Sequence, residues 1–335
     1  MATSEKKESI SPPRILPSLV EGFNAIAGRI YLILFPVAID LLLWFGPLVR
    51  VKNLLLPVLY RATDLSADVY GQEAQEMIQS SKELWASLLE SFNLLSALRT
   101  YPIGVPSLIS RQGAQANPLG SPLVIEMPSI QNALFLLLAA SIIGIILGSC
   151  YYAFIARSTD KHTQTLSFSH FLRFSGQSLL LSVLLFLLLF MLGLPATCFI
   201  SSITMILPSL GSLPFMIFGL IVVWLMLPLV FTPHGIFLRE MKIHQSLLAS
   251  VKLVRSRMAE SAMFCILVIM ISYGLDMLWL TPPFNSWMML IGILGHGFIS
   301  SALLASSFVF FRDGFEWLSE SMMHKETQTR PVNFQ

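Results

Sequence analysis

Asp40 and Asp276 are the two charged residues inside the six long apolar runs of this chain. A carboxylate near the centre of a bilayer costs about 2.5 to 3.5 kcal/mol unless it is paired, hydrated or neutralised. The helical neighbours of Asp40 are Pro36, Val37, Leu43 and Trp44, and none of them exchanges a proton, so its compensation has to come from another segment or from water. At about 1.5 Å of rise per residue, Asp40 lies about 15 Å from one end of its run and His296 about 15 Å from the matching end of another. A contact between them is therefore allowed. Such a pair supports two kinds of chemistry: a neutral carboxyl and imidazole relay a proton, or an ionised pair holds a coupling ion or a substrate amine. The structural alternative is a hydrogen bond that fixes helix register. Asp276 stands five residues from the end of its run with Ser272 and Tyr273 one turn earlier, and reads as an interfacial acid reaching toward water.

The elements that must position these residues are membrane helices. The chain has 335 residues, 55% of them hydrophobic and 12% charged, where a soluble domain carries about 25% charged residues. A net charge of +2 excludes a strongly basic nucleic-acid binder. Runs long enough to cross a bilayer core as helix stand at 30–49, 131–156, 179–200, 213–232, 261–281 and 286–311. The expected fold is all-α: an integral membrane protein of six transmembrane helices. Residues 1–29 and 312–335 are the flanking tails, and 131–311 is a five-helix membrane region.

Lys and Arg set the orientation. They gather in the N-terminal tail (Lys6, Lys7, Arg14, Arg29) and after the second run (Arg157, Lys161, Arg173). They gather again after the fourth run (Arg239, Lys242, Lys252, Arg255, Arg257) and in the C-terminal tail (Arg312, Lys325, Arg330). The turns 201–212 and 282–285 have none. Both termini are therefore expected in the cytoplasm and 50–130 outside, with Arg50, Lys52 and Arg61 as the exceptions. The polar stretch before the first run, with no small-x-small site after it, reads as a retained helix and not a signal peptide. Cys150, Cys198 and Cys265 fall in three different runs and act as small apolar residues.

The external segment 50–130 has a pattern of its own. Over about 62–98 Leu84, Trp85, Leu88, Phe92 and Leu95 recur at helical spacing, with Lys82, Glu83, Ser87, Glu90 and Ser91 on the other face. Asp64, Asp68, Glu73, Glu76, Glu83 and Glu90 make this an acidic amphipathic helix, suited to docking on the bundle, on a protein partner or at the outer interface. Residues 101–129, rich in Pro and Gly, follow as an irregular cap or a loop over the outer face.

The last four runs share one plan: a basic amphipathic stretch, a run, an uncharged turn and a second run, the copies starting near Leu166 and Ile243. In the second stretch Leu247, Val251, Val254 and Met258 share a face. Lys252, Arg255 and Arg257 project elsewhere as candidate contacts for anionic lipid headgroups, against the plain alternative of positive-inside anchoring. The stretch Ser246-Leu-Leu-Ala-Ser-Val-Lys-Leu-Val-Arg255, with the paired hairpins over 166–311, resembles the multi-span membrane domains fused to bacterial glycerophosphodiester phosphodiesterases and related polytopic proteins. The resemblance covers less than half of the chain. It implies a fold and a membrane module attached to other activities, and it brings no catalytic motif, since these residues include no soluble phosphodiesterase domain.

No phosphate loop, dinucleotide turn, zinc helix, nucleophile elbow or Cys/His metal spacing is present, and no catalytic residue, metal ligand or cofactor is assigned. His162 and His170, like His234 and His244, are too far apart for a metal pair on one helical turn. Three functions follow, in order. The first is a non-enzymatic module of a bacterial-type cytoplasmic membrane that scaffolds or assists partner proteins or lipids. The second is a small-solute or lipid transporter using Asp40 with His296. The third is an intramembrane lipid-modifying enzyme, for which Asp276 with Glu126 is the candidate pair. A dry, hydrogen-bonded Asp40 favours the first, and a water-accessible cavity at Asp40 the second.

Overall fold

The computed structural model describes residues 12–70, 75–113, 115–160 and 167–329. In chain order the described elements are α1 (Ile15–Ala27), α2 (Leu34–Phe45), β1 (Leu48–Arg50), α3 (Lys52–Tyr70), α4 (Gln75–Ser91), β2 (Val124–Glu126), α5 (Ile130–Thr159), α6 (Phe168–Ile206), α7 (Leu213–Met226), α8 (Thr232–Leu238), α9 (Ile243–Ser256), α10 (Met258–Trp279) and α11 (Met289–Thr329). Five helical stretches are long and apolar enough to cross a bilayer: α5, α6, α7 continued through α8, α10 and α11. Ile15–Ala27 with Ile30–Phe45, bent by 91°, makes a sixth if the bent pair is one span. The chain is an all-α, multi-pass membrane protein.

Several boundaries differ from those the sequence predicts. The run 30–49 opens as a 3-10 turn, Ile30–Ile33, and its helix stops at Phe45. Gly46 is extended there, at ψ 177°, because the residue before Pro47 is pushed out of the helical region. The first tail contains α1, whose buried face is Ser18, Leu19, Gly22 and Ile26. The single external helix over 62–98 is replaced by α3, which starts at Lys52, by α4, and by a 3-10 turn over Leu94–Leu98. Asn93 makes that last break, since its Oδ1 accepts from the amides of Leu95 and Val49. The run 213–232 breaks after Leu229, and α11 continues well past 311 into the second tail. Lys6, Lys7, Glu73, Lys161, His162, Leu166 and Arg330 lie outside the described residues.

The chain divides into two compact units. One comprises Met1–Arg29, Tyr152–Ile271 and Ser301–Gln335. Its centre is aromatic: Phe264 and Phe310 stack with centroids 4.4 Å apart, and Phe231 stacks on Phe310 at 5.6 Å. Here α1 meets α11 backbone to backbone, since a Cβ at Gly22 would stand 2.3 Å from the Ser306 amide nitrogen. Arg312 anchors the same region with hydrogen bonds to both Glu21 carboxylate oxygens, at 2.8 and 3.0 Å. Pro228 and Pro233 interrupt the α7–α8 stretch, and two serines of α9 take up the freed backbone. Ser250 donates to the Pro228 carbonyl at 2.7 Å and accepts from the Phe231 amide at 3.1 Å, while Ser246 donates to the Thr232 carbonyl.

The other unit comprises Ile30–Tyr151 and Ser272–Ser300. The strand β1 pairs in parallel with β2, Leu48 opposite Val124 and Arg50 opposite Glu126, which ties the start of the external segment to its end. Val49, Val51, Leu89, Leu94 and Ala133 form its buried cluster, with Leu54, Leu59, Met127 and Leu136 packed around them. The cluster joins α3 and α4 to the first turns of α5. Arg50 pairs with Glu126 at 2.7 Å and Lys52 with Glu90 at 3.0 Å, so two of the three basic residues that oppose the expected orientation carry local counter-charges.

Candidate functional site

Asp40 lies on the buried face of α2 between Pro36, Val37, Leu43 and Trp44, and it is fully buried. Its hydrogen bonds come from neither another span nor His296. The chain after Pro106 turns inward and presents three donors: Ser107 Oγ to Oδ1 at 2.5 Å, the Ile109 amide to Oδ1 at 3.0 Å and the Leu108 amide to Oδ2 at 3.2 Å. A carboxylate is an acceptor on both oxygens, and here both are engaged. The turn is braced from behind. Ser107 Oγ also accepts from the Ser110 amide at 3.0 Å, and Arg99 donates to Ser110 Oγ at 3.2 Å. The same Pro/Gly-rich segment reaches α2 again through Asn117, whose Nδ2 donates to the Trp44 carbonyl at 2.9 Å. The irregular cap is therefore an ordered layer clamped to α2 at two points.

An open pocket of about 430 Å³, open solvent included, lies beside this clamp and is lined by Trp44, Asn93, Ser96, Ser110, Gln112 and Phe284 among others. Asp40 does not line it. Trp44 Nε1 donates to the Phe284 carbonyl at 3.0 Å, closing one wall.

The second carboxylate is not the shallow, solvated acid expected at 276. Asp276 is 6% exposed and its Oδ1 lies 2.7 Å from His296 Nδ1. Glycine makes this possible. A Cβ at Gly292 would stand 2.2 Å from the Trp279 carbonyl oxygen, one at Gly295 2.8 Å from the Trp279 ring, and one at Gly297 3.0 Å from Val37 Cγ2. Three missing side chains let α11 close on the end of α10 and on α2, which carries His296 to Asp276 before that acid can reach solvent. Among the described residues His296 Nε2 is buried without a hydrogen-bond partner, as is Trp279 Nε1. His296 stands within electrostatic reach of Asp40 but is not bonded to it. The expected Asp40–His296 contact is thus replaced by two separate arrangements, a carboxylate held by a loop and a carboxylate held by an imidazole. Asp276 and Glu126 are not brought together either, since Glu126 is taken by Arg50.

A third polar pair lies in the other unit. His234 Nε2 is 2.7 Å from Ser307 Oγ, and the ring sits against Phe308 at 4.5 Å and Phe231 at 5.4 Å. Ser307 itself donates back to the Leu304 carbonyl at 2.7 Å, as helix serines do. Among the described residues no carboxylate orients this imidazole, and its Nδ1 is buried without a partner. The pair therefore lacks the third group that makes a serine a nucleophile.

On α9, Lys252 and Arg255 are exposed, whereas Arg257 is engaged by Glu260 at 2.9 Å and lies over the Trp317 ring at 5.4 Å. Two of the three candidate headgroup contacts are thus presented outward. Cys198 is exposed on α6, and Cys150 and Cys265 are partly buried. Among the described residues no group of three or more His, Cys, Asp or Glu side chains is placed to hold a metal. The residues that sequence reasoning missed are Ser107, Leu108 and Ile109. Two of them act through backbone amides, which carry no signal in residue type. No family model, no curated protein and no solved structure matches this chain.

Proposed function

We propose that this chain is a non-enzymatic polytopic module of a bacterial-type cytoplasmic membrane, with both termini in the cytoplasm, that scaffolds or assists partner proteins or lipids. The observation that carries this reading is the enclosure of Asp40, whose two oxygens accept three hydrogen bonds from residues 107–109. A carboxylate so occupied fastens a loop to a helix, with three of its roughly four lone-pair sites already taken. Lys252 and Arg255 face outward where anionic headgroups would meet them, each worth about 1 kcal/mol near such a surface. The polar face of the external hairpin offers Glu83 and Glu90 to a protein partner. The α9 stretch resembles the membrane domains fused to bacterial glycerophosphodiester phosphodiesterases, which look like membrane modules attached to other activities.

A second reading, a transporter of small solutes or lipids, draws on one observation: His296 keeps a buried, unpartnered Nε2 within electrostatic reach of Asp40. One experiment separates the two. Vesicles containing the protein and a trapped pH dye are given a pH gradient, and proton entry is compared for the natural chain, Asp40→Asn and His296→Gln. On the first reading all three leak alike, while Asp40→Asn renders 99–123 sensitive to protease. Proton entry that requires Asp40 or His296 would overturn it in favour of transport.

A further inference from the structure

The hairpin of α3 and α4 turns one side of α4 inward and leaves an adjoining one uncovered. Leu89 is buried in the cluster with Val49, Leu94 and Ala133. Beside that buried side Leu84, Trp85 and Leu88, with Phe92 just past the last turn, spaced at i, i+1, i+4 and i+8, are 38 to 58% exposed. A helix that places four large apolar side chains in one stripe is built to bury them in something other than water.

Depth identifies what that is. Leu89 sits in the middle of the stripe and shares its cluster with Ala133 and Leu136, which belong to the first two turns of the membrane-crossing helix α5. Along α4 the stripe reaches about 8 Å to one side of Leu89 and about 5 Å to the other. It therefore stands level with the α5 residues Leu134, Phe135 and Leu138, which are 56 to 75% exposed on a helix that crosses the bilayer. The apolar surface of α4 continues a lipid-facing surface at the same depth. The remaining residues of α4 agree with an in-plane position: Glu83, Ser87 and Glu90 flank the stripe, and Trp85 has the amphipathic ring that collects at membrane interfaces. The polar face carries acid, with Lys52 on Glu90 and Lys82 on Asp64 as local counter-charges, so attraction to anionic lipid plays no part.

We propose that α4 is an interfacial helix, with Leu84, Trp85, Leu88 and Phe92 inserted into the phospholipid leaflet that surrounds the first turns of α5. The inference does not depend on the module reading above; it assigns the apolar side of the hairpin to lipid and leaves the acidic side free for a partner. Insertion is driven by apolar area, and it proceeds equally in zwitterionic and in anionic bilayers.

The test places nitroxide labels singly at Leu84, Leu88, Glu83 and Ser87, with Cys150, Cys198 and Cys265 replaced, in phosphatidylcholine vesicles. The expected result is a ratio of oxygen to nickel-chelate accessibility severalfold higher at Leu84 and Leu88 than at Glu83 and Ser87, unchanged when anionic lipid is added. Equal access of the nickel chelate at all four sites would place the stripe in water and overturn the proposal. Protection of Leu84 and Leu88 from both reagents would assign them to a protein neighbour and overturn it equally. Should the cysteine-free variant fail to fold, quenching by brominated phosphatidylcholine is measured on the natural chain and on Trp85→Phe. Loss of a quenchable component in the variant supports insertion, and identical quenching of the two refutes it.

Discussion

The hairpins α6–α7 and α10–α11 share a sequence plan and differ in almost every physical respect. Both follow a basic stretch and turn through an uncharged loop, yet none of the apolar window of α7 and 6% of that of α6 is buried inside the protein, against 17% for α10 and 56% for α11. Composition explains the difference better than hydrophobicity does. After Leu213-Pro214 the helix α7 is a run of Leu, Ile, Val, Phe, Met and Trp with one glycine, and lipid tails solvate such a surface as well as another helix would. The helix α11 carries His296, four serines between 300 and 307, and glycines at 292, 295 and 297. Between membrane helices, small residues that admit a neighbour's backbone and polar groups that need a partner are the main sources of association.

Glycine gives a large expected effect and the most direct way to break this comparison. Gly292→Ala places a methyl group 2.2 Å from the Trp279 carbonyl oxygen, a backbone atom that can retreat only by separating α10 from α11. Overpacking of this kind costs about 1 to 3 kcal/mol or more. Thermal unfolding in detergent should show a marked loss, and a neutral Gly292→Ala would mean that the two helices are not in contact there. Gly219→Ala on α7 meets nothing within 4 Å. It should be neutral or stabilising, by up to about 1 kcal/mol from helix propensity.

The same contrast shows how much the sequence disclosed. Five of six spans were legible because hydrocarbon excludes charge over some twenty residues, a condition strong enough to override local detail. The first was legible only in part. Its helix is cut at Phe45 by Gly46-Pro47, and the preceding tail, with Arg14, Glu21 and Arg29 among its polar residues, nonetheless forms a helix that buries Leu19, Gly22 and Ile26. Asp40 and Asp276 stood out as costly groups, yet their partners did not. Depth matching pointed Asp40 at His296, but depth is one coordinate of three, and backbone amides such as those of Leu108 and Ile109 are invisible to any reading of side-chain types. For Asp276 a signal was present. Three glycines within six residues around His296 announce close approach by another helix, and Trp279 at the neighbouring helix end is the surface they receive.

The Asp276–His296 pair should give the next effect in size. Interhelical hydrogen bonds in membranes average about 0.6 kcal/mol and reach about 1.7 kcal/mol in double-mutant cycles. A cycle of Asp276→Asn and His296→Gln should return a coupling in that range, below the cost of Gly292→Ala. Asp40→Ala belongs to a different class, because it strands two amides and a hydroxyl at about 1 to 3 kcal/mol for each unsatisfied group. If the two carboxylates proved equally costly to remove, the distinction between a loop clamp and a helix pair would fail.

The smallest effect is expected from the surface counterpart of that pair. Lys52 donates to Glu90 at 3.0 Å, and Arg50 Nη1 lies 3.9 Å from the same carboxylate. The Lys52 hydrogen bond, with the charges of Lys52 and Arg50, holds the Glu90 carboxyl below the usual glutamate range. A carboxylate whose value is depressed on folding stabilises the protein above the unfolded value, and that contribution is lost as pH falls through the folded one. Glu90→Gln should therefore lower the unfolding temperature slightly at neutral pH, and the difference from the natural chain should vanish in acid. Because water screens an exposed pair, added salt should erase the same difference at neutral pH while leaving the Asp276–His296 coupling intact. Salt sensitivity at both pairs would mean that water reaches His296, and the packing inferred for α11 from its glycines would then be wrong.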